Sequence, residues 1–426
     1  MHIQGERVFL YGAGINAFGV VKYLGKENIV AIIEGNREKI GMEIDEIPIV
    51  DMEYYQQNNK GEKIVISAFQ KSDEIANFLE KLGVDNYLIA PYIQSGFPEI
   101  EEIAVYMLKK NMNKLVIGDK NLVSYLLVQY IRSNDIPIEI VGVLERNAIG
   151  KTNDLPVLNL DSISDDIYIL SVEENVSIAD KKNCICVVKD MRASFFDYNE
   201  NLCQFKDKFK GERCFVIGAG PSLRMEDLDV LAENNEICFA SNKIYLAFEK
   251  TKWRPDFYMV CDFNVYRSCY DEIRKITEPT VFIENFYNDL ELEELPGVYK
   301  VNSVHQKNEF RFSEDIEKYV YSGLTVTYNM LQLAVYMGFS EIYLLGIDFS
   351  FSGMSEDKGN HFCEEYSKNT KMKGSFYAEE SLRAYKAAED ISHKRGIRIY
   401  NATRGGKLEV FERKEFDTLF NEEKKE

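Results

Sequence analysis

The run CFVIGAGPSL at residues 214–223 constrains this chain most: an apolar stretch that breaks into Gly-Ala-Gly-Pro-Ser. Cys214 to Ile217 is apolar on both faces, as a strand buried inside a parallel sheet requires. Gly218 and Gly220 then permit backbone angles and close ligand approach that a Cβ forbids. Pro221 and Ser222 suit a helix start, with Ser222 as its N-cap. The free N–H groups of that helix would face an anion. A tight strand-to-helix turn with no ligand accounts for the same residues equally well.

The segment YSGLTVTYNMLQLAVYMGFSEIYLLGIDF at 321–349 repeats the plan. Ser322 and Gly323 precede a helix whose apolar residues, Val326, Met330, Leu333, Ala334 and Met337, keep close to 3.6 periodicity. Gly338 suits a C-terminal stop. Glu341 to Ile347 reads as a buried strand with Asp348 at its carboxyl end. Open α/β sheets take ligands outside the carboxyl ends of their strands. Gly218, Ser322 and Asp348 would therefore line one crevice if their strands are neighbours. A capping or loop-ordering carboxylate is the other reading of Asp348.

A Gly-Asn-His cluster follows at 359–361, and His361 is one of four histidines. It sits in a long polar loop, where functional residues concentrate. An imidazole titrating near neutrality can take a proton from an acceptor hydroxyl. His2 is terminal, His393 belongs to the basic helix end ISHKRG, and His305, in NSVHQKN, carries no assignment.

In this order and spacing, GAGPSL, ASNKIY (240–245), YSGLTV, EIYLLGIDF and GNH resemble the bacterial CMP-sialic acid sialyltransferases and the related motility-accessory-factor glycosyltransferases. The resemblance covers about residues 206–412. It implies that Gly218, Ala219, Gly220 and Ser222 form the first nucleotide loop, although sialyltransferases often have Asn where Ala219 stands. It implies that Asn242 contacts the nucleotide sugar, Ser322 and Gly323 lie near cytidine and phosphate, Asp348 and Phe349 meet ribose and base, and His361 is the general base. Two positions depart: Ser350 and Glu356 stand where sialyltransferases carry phosphate-side tyrosines, and a sugar-contacting asparagine falls near Cys261 or Asp262. The motility-factor branch fits better. The same broad family includes hydroxymethylpterin diphosphokinases, for which Asp262 and Asp348 would hold Mg²⁺ for phosphoryl transfer.

The N-terminal half contains an internal repeat. IVAIIEGNREKIGMEIDEIPIVDMEYY (29–55) echoes IEIVGVLERNAIGKTNDLPVLNLDSI (138–163), and each follows a strand with a glycine-bearing turn. Two small Rossmann-like α/β units, 1–95 and 96–205, ahead of a Rossmann-like transferase domain at 206–426, are the economical organisation. Gly12, Gly14, Ala17 and Glu34 outline a dinucleotide fingerprint. The IEGNREKIGMEIDEIPIV segment instead looks like the hairpin-like excursion of nucleotide-sugar-pathway modules in which NAD is often absent. Unit two replaces the fingerprint with Gly118-Asp119-Lys120-Asn121. An NAD site, a small nucleotide or sugar site, and a structural role all remain open for unit one.

Other patterns say less. Asp227-Leu-Asp229 matches the Asp-x-Asp of metal-dependent glycosyltransferases, but MEDLDVLAENN reads as an amphipathic helix with Leu228 and Leu231 inward. Asp262 ends the strand YMVCD and is a candidate nucleotide or sugar contact. Asn401, Thr403 and Arg404, in the loop after IRIY, would meet donor or acceptor, or simply form a surface turn. A net charge of −19 argues against sequence-independent binding to nucleic acid or an anionic membrane. Eight scattered cysteines show no zinc spacing and suit reduced, mostly buried thiols in a cytoplasm. The N-terminus carries no signal-peptide pattern, and no stretch is apolar enough to span a membrane.

The expectation is a cytoplasmic, metal-independent inverting glycosyltransferase that needs no cofactor. It would move a nonulosonic acid from a CMP donor to a hydroxyl of a glycan or a protein such as flagellin, and it allows a homo-oligomer. A Mg²⁺-dependent diphosphokinase and a catalytically silent nucleotide-sugar-binding scaffold are the alternatives.

Overall fold

The computed structural model describes residues 6–93, 97–144, 155–172, 183–191, 198–284, 297–306, 309–350, 361–367 and 377–420. The chain divides into two compact units, Met1–Phe196 and Asp197–Glu426.

The first unit holds two sheets. One contains β1 (Val8–Tyr11), β2 (Ile29–Ile33), β3 (Glu43–Ile44), β4 (Ile47–Val50), β5 (Lys63–Ile66) and β6 (Tyr87–Ile89), in the order β3-β4-β2-β1-β5-β6. Its pairs are parallel except the β3–β4 hairpin. Asp45 and Glu46, at φ 51° and 68°, supply the two left-handed residues of that hairpin's turn. The other sheet contains β7 (Lys114–Ile117), β8 (Glu139–Val143), β9 (Tyr168–Ser171) and β10 (Cys184–Cys186), all parallel in the order β10-β9-β7-β8. The sequence echo is thus an echo of topology: β2-β1-β5-β6 in one sheet corresponds to β8-β7-β9-β10 in the other. The helices Ile15–Leu24 and Leu122–Ser133 follow β1 and β7 in turn. Where β4 lies beside β2, Val157 makes an isolated parallel bridge to Val143.

The second unit is built on one eight-stranded sheet: β11 (Arg213–Ile217), β12 (Cys238–Ser241), β13 (Phe257–Val260), β14 (Thr280–Glu284), β15 (Val298–Val301), β18 (Glu341–Leu345), β19 (Arg398–Asn401) and β20 (Glu412–Arg413). A separate pair, β16 (Ser303–Val304) and β17 (Val320–Tyr321), stands outside it. The order is β15-β14-β13-β12-β11-β18-β19-β20 and all pairings are parallel. From β11 the chain steps outward through β12 to β15, then returns to the other side of β11 with β18. The β11–β18 seam is therefore the topological switch point, where α/β sheets leave a crevice outside the strand ends. The central strands are apolar on both faces because helices cover them, and the helix Val326–Tyr336 is buried along most of its circumference. Gly338 ends it at φ 89°.

Among the described residues, no helix is long and apolar enough to cross a membrane. All eight cysteines are free thiols; Cys186, Cys214, Cys238 and Cys269 are buried, and Cys203 is exposed.

Candidate functional site

Gly218 to Ser222 leave β11 at the seam, and the turn after β18 packs against them. The Gly218 amide donates to Leu345 at 2.8 Å and the Gly220 amide to Gly346 at 2.9 Å. A Cβ at Gly218 would sit 2.3 Å from a methyl of Ile347, and one at Gly220 would sit 2.0 Å from the Asp348 carboxylate. Neither glycine has positive φ. The close approach that requires them is to the neighbouring turn, and the expectation of special backbone angles is corrected. Ser222 is not an N-cap either. Its hydroxyl donates to the Asp348 carboxylate at 2.8 Å and its amide approaches the same oxygen at 3.3 Å. The helix begins only at Met225, with Arg224 in the capping position. An acceptor across the seam has drawn the serine away from local capping.

Asp348 is 9% exposed. Its carbonyl accepts from Lys407 at 2.8 Å, and Gly406, at φ 75°, lies against its backbone. Asn401 and Thr403 order this third loop. Asn401 donates to the Leu408 carbonyl at 2.8 Å and accepts from the Thr403 amide at 3.0 Å, while the Thr403 hydroxyl accepts from Ile347 at 3.0 Å. Both are buried. Both side chains therefore order the loop from within, and the surface-turn alternative does not hold for them. Arg404 is likewise spent on Asp227 and Asp417. Asp227 lies in the helix Met225–Glu233 with Leu228 and Leu231 inward, as its pattern required.

Ser322 and Gly323 follow β17, which pairs with β16 and not with β11 or β18. The condition that all three turns leave neighbouring strands therefore holds for Gly218 and Asp348 only. Gly323 is required by the Tyr328 ring, 2.5 Å from where its Cβ would stand, and Ser322 accepts weakly from Leu324 at 3.4 Å. Tyr385 joins this turn to the seam. Its hydroxyl hydrogen-bonds Thr325 and Thr327, and its ring meets Phe349 edge-on at 5.9 Å. Phe349 itself is left-handed, at φ 50°.

The third arm rises from β12. Asn242, at φ 54°, accepts from the Tyr258 hydroxyl through its carbonyl. Its side chain hydrogen-bonds the Tyr366 hydroxyl, and its Oδ1 is buried without a partner. Lys243 is 4% exposed and donates to the Tyr366 carbonyl at 2.7 Å. The His361 ring stacks on Tyr366 at 3.8 Å, and the next amide, of Phe362, donates to the Ala219 carbonyl at 3.0 Å. His361, Ala219 and Asn242 are thus brought together, with Gly220 and Asp348 one turn away across the seam. Burial raises the Tyr366 hydroxyl pKa above its ordinary value, so the phenol stays neutral. Gly359, Asn360 and Glu356 lie outside the described residues.

Asp262, two residues beyond β13, accepts from the Val265 amide at 3.1 Å and so caps the helix Phe263–Ser268. Beside it, at the end of β14, Glu284 bonds His305 at 3.2 Å; both side chains are largely buried. Burial first, then the charges of Glu284 and Asp262, push the Cys261 thiol well up. Sequence reasoning missed this pair, as it missed Tyr366, Lys243 and Tyr385. Only the unassigned His305 in NSVHQKN offered a signal for it. Among the described residues no cluster of three or more His, Cys, Asp or Glu has metal-ligand geometry.

In the first unit, Glu34 accepts from the amides of Ala13 at 3.0 Å, Gly35 at 2.8 Å and Asn36 at 3.1 Å, and from Lys39 at 3.3 Å. The carboxylate that a dinucleotide fingerprint would offer to a ribose is thereby engaged by its own loop. Asp119 does the same in the second sheet, accepting from Ser124 at 2.7 Å and Val172 at 2.7 Å.

Residues 192–354 match the family model described as 6-hydroxymethylpterin diphosphokinase MptE-like. The matched segment, less than half of the chain, is similar to that family; it includes both turns, Asn242, Asp262 and Asp348 and stops short of His361. No curated protein sequence matches the chain. The solved structure of the MAf glycosyltransferase from Magnetospirillum magneticum AMB-1 is similar over 97% of this chain, at 13% identity and a TM-score of 0.35. The chain spans 58% of that structure's length. A likeness of that size decides neither fold nor chemistry by itself.

Proposed function

We propose that the second unit is a metal-independent inverting glycosyltransferase, working in the cytoplasm, that moves a nonulosonic acid from a CMP donor to a hydroxyl of a glycan or protein. The observation that carries this reading is the bond from Phe362 to Ala219, which ties the segment of His361 to the first turn at the switch point. In the proposed reaction the His361 imidazole accepts the acceptor's hydroxyl proton. The hydroxyl oxygen attacks the anomeric carbon opposite the phosphate, and the bond from that carbon to the phosphate oxygen breaks with inversion. CMP leaves with the bonding pair. Asp348 and Asn242 orient the donor, and the turns at Ser222 and Ser322 take its phosphate side.

A diphosphokinase is the second reading, favoured by the description of the matching family. Its version with one Mg²⁺ shared by Asp262 and Asp348 meets a geometric objection. These residues follow β13 and β18, with β12 and β11 between them, a span of about 14 Å at the usual strand spacing. Ligands of one Mg²⁺ lie within about 4 Å of each other. Strand spacing therefore favours other carboxylates for that reading.

Thermal shift with CMP, CDP, UDP and ATP plus Mg²⁺ separates the readings, followed by transfer from a CMP-nonulosonate with and without EDTA. CMP or CDP as best stabiliser and EDTA-resistant transfer support the glycosyltransferase. ATP with Mg²⁺ as sole stabiliser supports the diphosphokinase, and cytidine-nucleotide binding with no transfer supports a scaffold.

A further inference from the structure

His361 stands on a short segment, 361–367, whose one regular element is the 3₁₀ turn Glu364–Ser367. A side chain carried in this way has two soft freedoms. The backbone beneath it can shift, and the imidazole can turn about χ2, a torsion without sharp staggered wells. A general base tolerates neither, since it must stand within about 2.6–3.2 Å of the proton it removes. The structure supplies a restraint for each, and both converge on Tyr366.

The first restraint acts on the ring. Tyr366 is 9% exposed, and its ring lies 3.8 Å from that of His361 at an interplanar angle of 21°. Aromatic pairs ordinarily stand about 4.5–7 Å apart. At the shorter separation a perpendicular imidazole does not fit, so the stack selects one plane for it.

The second restraint acts on the backbone. β12 ends at Ser241, and Asn242, at φ 54°, turns the chain into the 3₁₀ helix Asn242–Ala247. Ile244 and Ala247 are its buried apolar residues, and Lys243 is buried with them at 4% exposure. Lysine is almost never buried to that degree without a partner, and desolvating an ammonium is costly. Lys243 Nζ donates to the Tyr366 carbonyl at 2.7 Å and stands 5.7 Å from the centre of the Tyr366 ring. Asn242 bonds the hydroxyl of the same tyrosine. Two successive residues after β12 thus hold Tyr366 at its main chain and at its phenol tip. A methionine would fill the lysine's space without the desolvation cost, so packing alone does not account for the ammonium. Its bond to a main-chain carbonyl fixes where the segment lies.

We infer that Tyr366 and Lys243 are positioning residues for the base. The Tyr366 ring sets the plane of the His361 imidazole, and Lys243, through the Tyr366 carbonyl, sets the Tyr366 ring. The inference rests on the proposed role of His361. Misplacing a catalytic group by about 1 Å can cost about 10²-fold in rate, which is the scale on which the pair acts.

The test uses the full chain and the hydrolysis of a CMP-nonulosonate. Water then takes the place of the acceptor hydroxyl and gives its proton to His361, and the products are CMP and the free nonulosonic acid. Tyr366→Leu and Lys243→Met are each expected to lower kcat by about tenfold to a hundredfold, with donor KM near wild type. Tyr366→Phe, which keeps the ring, is expected to recover most of the loss. In the His361→Ala background neither substitution should lower kcat further, because residues that act as a unit are not additive. A second measurement needs no turnover. In NMR spectra of the histidine-labelled protein, the His361 ring protons are identified by their absence from His361→Ala. They are expected upfield in wild type, over the Tyr366 face, and to move downfield in both Tyr366→Leu and Lys243→Met. Wild-type kcat in either variant, a loss that persists in full in the His361→Ala background, or ring protons that stay in place would overturn the assignment and leave the transferase reading intact. If wild type releases no CMP, or His361→Ala releases it as fast, the proposed base fails, and the spectra alone decide whether the pair holds His361: movement in both variants upholds it, and fixed resonances reject it.

Discussion

The Ser222 hydroxyl donates to the Asp348 carboxylate at 2.8 Å, joining two residues 126 positions apart across the β11–β18 seam. Asp348 is 9% exposed, so this bond and the nearby Ser222 amide replace water that the carboxylate gave up on folding. Ser222→Ala is expected to lower stability by about 1–3 kcal/mol, the penalty for a buried acceptor that loses its donor, as read by urea denaturation. Asp348→Ala is expected to weaken CMP binding by about tenfold or more, the worth of one hydrogen bond to a charged group. Calorimetry showing wild-type CMP affinity in Asp348→Ala would remove this residue from the proposed donor site.

Two glycine-bearing turns, one in each unit, answer differently to a methyl group. At Gly220 a Cβ would lie 2.0 Å from the Asp348 carboxylate and 2.7 Å from the Gly346 carbonyl, so the turn after β18 must move. At Gly14, with φ −94°, nothing lies within 4 Å of the added carbon. Gly220→Ala is expected to destabilise the protein by about 1–3 kcal/mol, and Gly14→Ala to stay within about 0.5 kcal/mol of wild type. Equal midpoints for the two variants in thermal denaturation would contradict the packing at the seam.

Local pattern made some of this legible and could not make the rest so. The apolar runs ending in glycine identified β11 and β18, and the echo between the N-terminal segments identified two sheets of one topology, because buried parallel strands need apolar residues on both faces. What a polar side chain bonds to is decided by strand order, which a local window does not contain. Ser222 looks like a cap until β18 is known to lie beside β11. Asn401 and Thr403 look like residues of a surface turn until the loop they order is seen closing on Asp348. Glu284 and His305 lie 21 positions apart with no shared motif, and Tyr366 looks like any loop tyrosine until Lys243, Asn242 and His361 converge on it.

Glu34 gives a pH-dependent prediction. Burial alone would raise its pKa, but hydrogen bonds from Asn36 and Ala13 and the charge of Lys39 outweigh that and hold it below its ordinary value of 4.5. A carboxylate depressed in the folded state contributes stability that is fully present above its unfolded pKa and is lost as pH falls through its folded pKa. Glu34→Gln is therefore expected to lower the unfolding midpoint at pH 7, with the difference from wild type shrinking below about pH 4.5 and vanishing in stronger acid. A difference that grew on acidification would have the wrong sign for this loop. The same engagement predicts that NAD leaves the midpoint unmoved at pH 7.

Two histidines stand at the carboxyl edge of the large sheet, and they are distinguishable. His361 stacks on Tyr366 beside the first turn, whereas His305 is held by Glu284 at the end of β14, three strands from β11. An acceptor hydroxyl is too weak an acid to ionise near neutrality, so a positioned base contributes about 10²–10⁴-fold to the rate. His361→Ala is expected to lower kcat by about that factor and to leave CMP affinity near wild type, since the proposed nucleotide contacts come from other residues. His305→Asn removes one partner of a buried pair. It is expected to lower the thermal midpoint while turnover per folded molecule stays near wild type. Glu284→Gln should behave like His305→Asn, because the amide keeps the carboxylate's shape but loses its charge. Transfer from a CMP-nonulosonate, normalised to the folded fraction, reads all three variants. Full activity in His361→Ala together with loss in both His305→Asn and Glu284→Gln would move the base to the β14 end of the crevice. Activity retained in all three would leave proton removal to solvent and withdraw the base mechanism altogether.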